Sequence, residues 1–148
     1  QPMLWGCLIT GLSILLLMPT NLMLGDYKIL AITSYILFGI GLAFYATPST
    51  DAALSNLPAA QAGSGSGIYK MASSLGGAFG VAISAAIFTA LRVNNESIHR
   101  LEGVITFVGR QDNVAIREAA IIALGFNLLM VVFAMVSIML TIPKGKKT

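Results

Sequence analysis

Charge is scarce in this sequence. Nine basic and six acidic residues make up 10% of its 148 positions, against about 25% in an ordinary soluble domain. A compact soluble fold covers most of its exterior with polar side chains, and this composition supplies too few. That shortage excludes a cytosolic enzyme, a secreted disulfide module and a nucleic-acid binder. One cysteine, Cys7, rules out an intrachain disulfide; it sits in an apolar run and reads as packing. One histidine, His99, is too little for a metal cluster or a Ser/His/Asp set, and no phosphate-binding P-loop is present. No cofactor, no metal and no enzyme activity is therefore expected. A basic n-region is missing before the first apolar stretch, which argues against a signal peptide. The chain opens on Gln1, Pro2 and Met3 and enters a hydrophobic run at once, as a segment cut from something longer would.

What is present is hydrocarbon. Apolar residues reach 56%, with a mean hydropathy of +0.83. A transmembrane helix needs roughly 20 mainly apolar residues to cross about 30 Å. Four segments meet this: about 3–24, 29–47, 67–91 and 119–142. The expected fold is all-α and transmembrane, with four spanning helices, an outer loop over 92–118 and a basic tail over 143–148. Every charge lies between or beyond these spans except Lys70, whose stem can snorkel to the interface. The first connection reads as a tight turn around residues 25–28. The second, from Pro48 to Ser66, is polar and rich in Gly and Ser. In the outer loop, basic and acidic residues balance, and Ile98, Leu101, Ile105 and Val108 are spaced for a short amphipathic helix or belong to a solvated loop. Asn95, Glu96 and Ser97 spell a glycosylation sequon, too short a motif to weigh. Lys144, Lys146 and Lys147 follow the last span, and the positive-inside rule puts them in the cytoplasm. The local count of bases nearly balances across the membrane and does not fix the orientation alone.

The third span is the most informative. Ala72, Gly76, Gly80 and Ser84 recur every four residues, with Gly77 beside them. Lipid supplies little hydrophobic drive between helices, so small residues that allow close approach favour packing. This span is expected to be buried in a bundle. The second span, with Thr33, Ser34, Tyr35, Gly39, Gly41 and Tyr45, is polar enough to line a cavity. The first and fourth look lipid-facing, with Asn127 expected to make an interhelical hydrogen bond. No Asp, Glu or His falls inside any of the four spans, although proton-coupled transport normally needs an intramembrane ionisable group. Asp51 and Lys70 are interfacial charges: the first reads as a cap or loop residue, the second as an anchor.

The run Tyr45-Ala-Thr-Pro-Ser-Thr-Asp51 and the run Ala62-Gly-Ser-Gly-Ser-Gly-Ile-Tyr-Lys-Met-Ala-Ser-Ser-Leu-Gly-Gly-Ala-Phe-Gly-Val-Ala82 carry a resemblance. They resemble the C-terminal region of multidrug efflux pumps of the major facilitator superfamily, in its fourteen-helix drug:proton antiporter family. The second run is similar to that of the Nor-type quinolone-resistance pumps. The resemblance implies that these are the last four of fourteen helices in a C-terminal bundle. It implies alternating access around a midplane site, a bacterial plasma membrane, and coupling carboxylates upstream of Gln1. The partners would be the lipid bilayer, upstream helices of the same protein, small amphipathic or cationic drugs, and protons. Tyr35, Tyr45, Tyr69, Ser73 and Phe79 are the candidates for lining the drug cavity, since aromatic faces suit flat cations. The segment alone is not expected to transport. A complete four-helix membrane protein, acting as a scaffold or an oligomeric exporter, is the alternative. A membrane-embedded enzyme is a third reading.

Overall fold

The computed structural model describes residues 2–55, 57–93, 105–108 and 113–141. Four helices account for most of them: α1 over Pro2–Leu17, α2 over Leu24–Leu54, α3 over Ala62–Val93 and α4 over Val114–Thr141. A 3-10 turn, Ala59–Gln61, precedes α3. Among the described residues there are no strands, and the all-α expectation is met. The helices alternate in direction, up and down.

The helix ends differ from the sequence reading in instructive ways. α1 stops at Leu17, not near residue 24, because Pro19 has no N–H and disfavours helix at Met18 before it. The first turn therefore lies over residues 18–23, and residues 25–28 already belong to α2. α2 does not stop at residue 47 but continues through Pro48 and Asp51 to Leu54. Membrane helices tolerate an internal proline, and α2 keeps its helix through Pro48. α3 begins at Ala62, so the Gly-Ser run is helix rather than loop. The 3-10 turn starts it, and Ser64 Oγ donates back to Gln61 O at 3.2 Å. An added Cβ at Gly65 would meet the end of the Leu57 side chain, which would have to turn aside. α4 begins at Val114, which places Arg117 and Glu118 in a helix instead of in the outer loop. Of the amphipathic stretch, Ile105 and Val108 are in irregular backbone; Ile98 and Leu101 lie outside the described residues, as do the sequon, His99 and the basic tail.

Three helices, α2, the stretch through α3 and α4, are long and apolar enough to cross a membrane. α1 has 16 residues, about 24 Å at 1.5 Å per residue, and is shorter than the span expected there. It is nevertheless the centre of the chain's packing. α1 packs against both α2 and α4, α3 packs mainly against α4, and α2 touches α3 only weakly.

The α1–α2 interface is built from small residues in antiparallel register. Ser34 Oγ donates to Ser13 O at 2.5 Å, and Ser13 Oγ donates to Thr10 O at 2.7 Å. Both serines are fully buried. A Cβ on Gly6 would stand 2.9 Å from Gly41 O and 2.8 Å from Tyr45 N, so backbone meets backbone. Small residues permit this approach in a membrane bundle. The expected division of roles is thus reversed within this chain. α1, read as lipid-facing, buries Gly6, Cys7, Ser13 and Ile14. α3, read as buried, has no buried residue among those described.

Candidate functional site

α2 and α3 are tied at one end and diverge towards the other. The tie joins the Ser49 and Tyr69 hydroxyls, which share a short hydrogen bond. Beyond it α3 turns to α4, where Asn127 Nδ2 donates to Ser84 Oγ at 3.0 Å and to Ala123 O at 2.9 Å. α2 stays with α1 from Tyr27 to Tyr45. The resulting groove has a volume of about 530 Å³. One wall is Tyr27 and Tyr35 of α2, the other Val81, Ser84, Ala85 and Phe88 of α3. Ala120, Ala123, Leu124 and Asn127 of α4, with Leu17 of α1, form the floor. Two tyrosines and a phenylalanine around one Ser–Asn pair give an open, mostly apolar groove, with Tyr35 and Val81 of its walls largely exposed.

The five cavity candidates are not gathered there. Tyr35 lines the groove. Tyr45 packs against α1 at Gly6, and Tyr69 is engaged by Ser49. Ser73 and Phe79 face outward on α3, Phe79 with 65% of its surface exposed. Of the packing stripe, Ser84 reaches α4 through Asn127. Ala72 is exposed, and Gly76, Gly77 and Gly80 have no neighbouring atom within 4 Å of an added Cβ. Asp51 and Lys70 are both exposed, Asp51 inside α2 and Lys70 two turns into α3. Among the described residues no cluster of His, Cys, Asp or Glu converges to hold a metal.

A polar cluster that the sequence reading missed closes one end of the groove. Arg117, in the first turn of α4, donates from Nε to Thr20 O. Its Nη2 reaches Leu22 O at 3.1 Å and its Nη1 reaches Val108 O at 3.1 Å. Its guanidinium also lies 5.4 Å from the centre of the Phe107 ring, within cation–π range. Thr20 Oγ1 donates back to Arg117 O at 2.9 Å, and Val108 N–H donates to Asn21 O at 3.0 Å. One planar fork thus binds the α1–α2 turn, the segment 105–108 and the start of α4. Glu118, next in sequence, is fully buried; the N-terminal end of a helix favours an acid. Starting the fourth span at residue 119 hid both residues. The signal that the sequence carries there is the polarity of residues 113–118, which by itself suits a loop as well as a helix start.

Apolar helices of membrane length in alternating directions, with a groove between them, define a multi-pass membrane protein. No family model matches the chain. Its relatives are specific: it is 42% identical over 122 residues, 82% of its length, to the quinolone resistance protein NorB of Staphylococcus aureus strain bovine RF122 / ET3-1 and of strain COL. The same protein from strain JH9 matches at the same identity over the same length. Each match takes in 22% of the relative, so the chain spans about a fifth of the length of the curated relatives it matches. The resemblance read in the runs Tyr45–Asp51 and Ala62–Ala82 therefore extends over 82% of the chain.

Proposed function

We propose that this chain is a portion of a proton-coupled multidrug exporter of the major facilitator superfamily, working by alternating access. The observation that carries the reading is the 42% identity to a quinolone resistance protein over 82% of the chain. The groove between α2 and α3 supports it, since its aromatic walls and Ser84–Asn127 station suit a flat amphipathic molecule. In this reading the protein resides in a bacterial plasma membrane with its C-terminus in the cytoplasm and acts as a carrier, not an enzyme. Its partners are the bilayer, protons, small amphipathic or cationic drugs, and further helices of the same protein. Those helices take the face of α3 that Ala72, Gly76, Gly77 and Gly80 leave open. Tyr35 is the first candidate for drug contact, with Tyr45, Tyr69, Ser73 and Phe79 behind it.

The test is export by the intact protein that carries this segment, in a bacterium stripped of its own efflux pumps. Expression lowers steady-state accumulation of a fluorescent quinolone, and a protonophore restores it. Accumulation unchanged by expression would refute export. Export that survives the protonophore would refute proton coupling.

A further inference from the structure

A separate groove of about 420 Å³ runs between α1 and α4. It shares no residue with the groove between α2 and α3. Leu8, Leu12 and Leu15 form its α1 wall, and Leu128, Val132 and Met135 its α4 wall. Gly11 lies between the walls, 3.7 Å from Val131 Cγ1 and 3.8 Å from Leu128 Cδ1 measured from an added Cβ. No residue that lines the groove carries an oxygen or nitrogen on its side chain. We propose that this groove holds one acyl chain of a membrane phospholipid, with the headgroup at the level of Trp5.

Chemistry, shape and depth point to the same occupant. A molecule with a polar end would find no partner between these walls, whereas a hydrocarbon chain needs none. The rim is wrong for a neighbouring helix. Helices in lipid approach each other over small residues, but the rim here is Leu, Val and Met, with Leu8, Leu12 and Leu15 about half exposed. Only Gly11 lacks a side chain, so the slot is one side chain deep and suits a single chain. It is open along its length, as a site filled sideways from the bilayer has to be. Its depth in the membrane also matches. Trp5 stands in the first turn of α1 with 61% of its surface exposed. It precedes Leu8 by three residues and Leu12 by seven, so the three share a face of the helix. Tryptophan gathers at the headgroup level, where its ring is in hydrocarbon and its N–H can donate to a polar group. Leu15 is ten residues beyond Trp5, about 15 Å along the helix and half of a hydrocarbon core of about 30 Å. The face therefore runs from one interface to the bilayer midplane, the reach of one leaflet's acyl chain.

The lipid site requires the chain to sit in a membrane and does not depend on export. The intact protein that carries this segment is reconstituted in vesicles of phosphatidylethanolamine and phosphatidylglycerol. A share of the phosphatidylglycerol bears a diazirine midway along one acyl chain. Light attaches that chain to whatever lies beside it, and peptide mapping locates the adducts. They gather on residues 8–15 and 128–135. Gly11→Leu fills the slot and lowers the yield there about threefold relative to adducts elsewhere in the same protein, the factor that roughly five lost carbon–carbon contacts carry. Gly11→Ala keeps most of the yield, because its Cβ makes only ordinary contacts with Val131 and Leu128. If Gly11→Leu lowers the melting temperature, Val132→Trp at the open rim takes its place, with the same loss expected. A yield in the groove no higher than over the other lipid-exposed surface overturns the site, and so does a yield that the folded variant leaves unchanged; both describe ordinary boundary lipid. Absence of adducts from both segments means that another helix covers the groove, and overturns it as well.

Discussion

Two stripes of small residues run along this chain, and their surroundings are opposite. On α1 and α2, Gly6, Thr10, Ser13, Ser34 and Gly41 are pressed together so closely that a Cβ on either glycine would meet backbone within about 3 Å. On α3, Gly76, Gly77 and Gly80 have open space within 4 Å. The α3 stripe is the more regular in sequence, with a member every four residues. The α1 stripe is scattered among Leu and Ile. Regularity thus says that a helix is suited to close packing. It does not say which neighbour is at hand. Within this chain the α1–α2 pair is adjacent in sequence and joined by a short turn, so its contact forms locally; α3 packs on α4 with a different face and leaves its glycines open.

The largest expected effect breaks the packed member of the pair. Gly41→Leu puts a side chain where Thr10 N stands 2.8 Å from an added Cβ. Overpacking costs about 1–3 kcal/mol and reaches the upper end where backbone is met; the measurement is the melting temperature of the protein in detergent. An unchanged melt would mean that α1 and α2 are not in this register. Next comes Arg117→Ala. It removes three bonds to backbone carbonyls and the contact with Phe107, and a hydrogen bond to a charged group is worth about 1.5–3 kcal/mol. The expected loss is of that order, with faster proteolysis over residues 18–23. Arg117→Lys recovers only part of it, because an ammonium lacks the planar fork. Asn127→Leu follows. It cuts the Ser84 link between α3 and α4 and costs about 0.6 kcal/mol, the average for interhelical bonds in a membrane protein. Its visible effect is on α3, whose amides exchange faster while those of α1 and α2 are unaffected.

The comparison also explains which parts of the molecule the sequence discloses. The helical class was legible because charge is expensive in lipid and therefore collects at helix ends. The interhelical bond of Asn127 was legible for a related reason: a polar group in a span needs a partner. Helix ends were harder to read. Pro48 and the glycines from Gly63 to Gly67 are breakers in water, where a freed backbone group binds solvent. In a bundle the backbone holds its helix, so these residues lie within α2 and α3. The groove was the least legible part. Tyr35 and Ser84 were singled out, but Tyr27 was placed in a turn and Arg117 in a loop. Their roles depend on the α1–α2 turn meeting the start of α4, 97 residues apart for the Thr20–Arg117 bond, and no local pattern encodes that meeting.

The substitution with the smallest expected loss also sharpens the comparison most. In the 148-residue chain, Gly77→Leu adds a side chain to open space. Nothing there clashes with it, and relief of a mid-helix glycine favours the substitution by about 0.5–1 kcal/mol, so the melt should match or slightly exceed that of the unsubstituted chain. In the intact protein the same substitution separates two cases. If a further helix packs on α3 as proposed, the added side chain meets it and the penalty rises towards that of Gly41→Leu. If the face of α3 looks into lipid, Leu is as well solvated there as Gly and the substitution stays silent. The difference between the two melts is therefore a direct reading of whether the α3 stripe is a helix-packing surface, and equal melts would end that proposal.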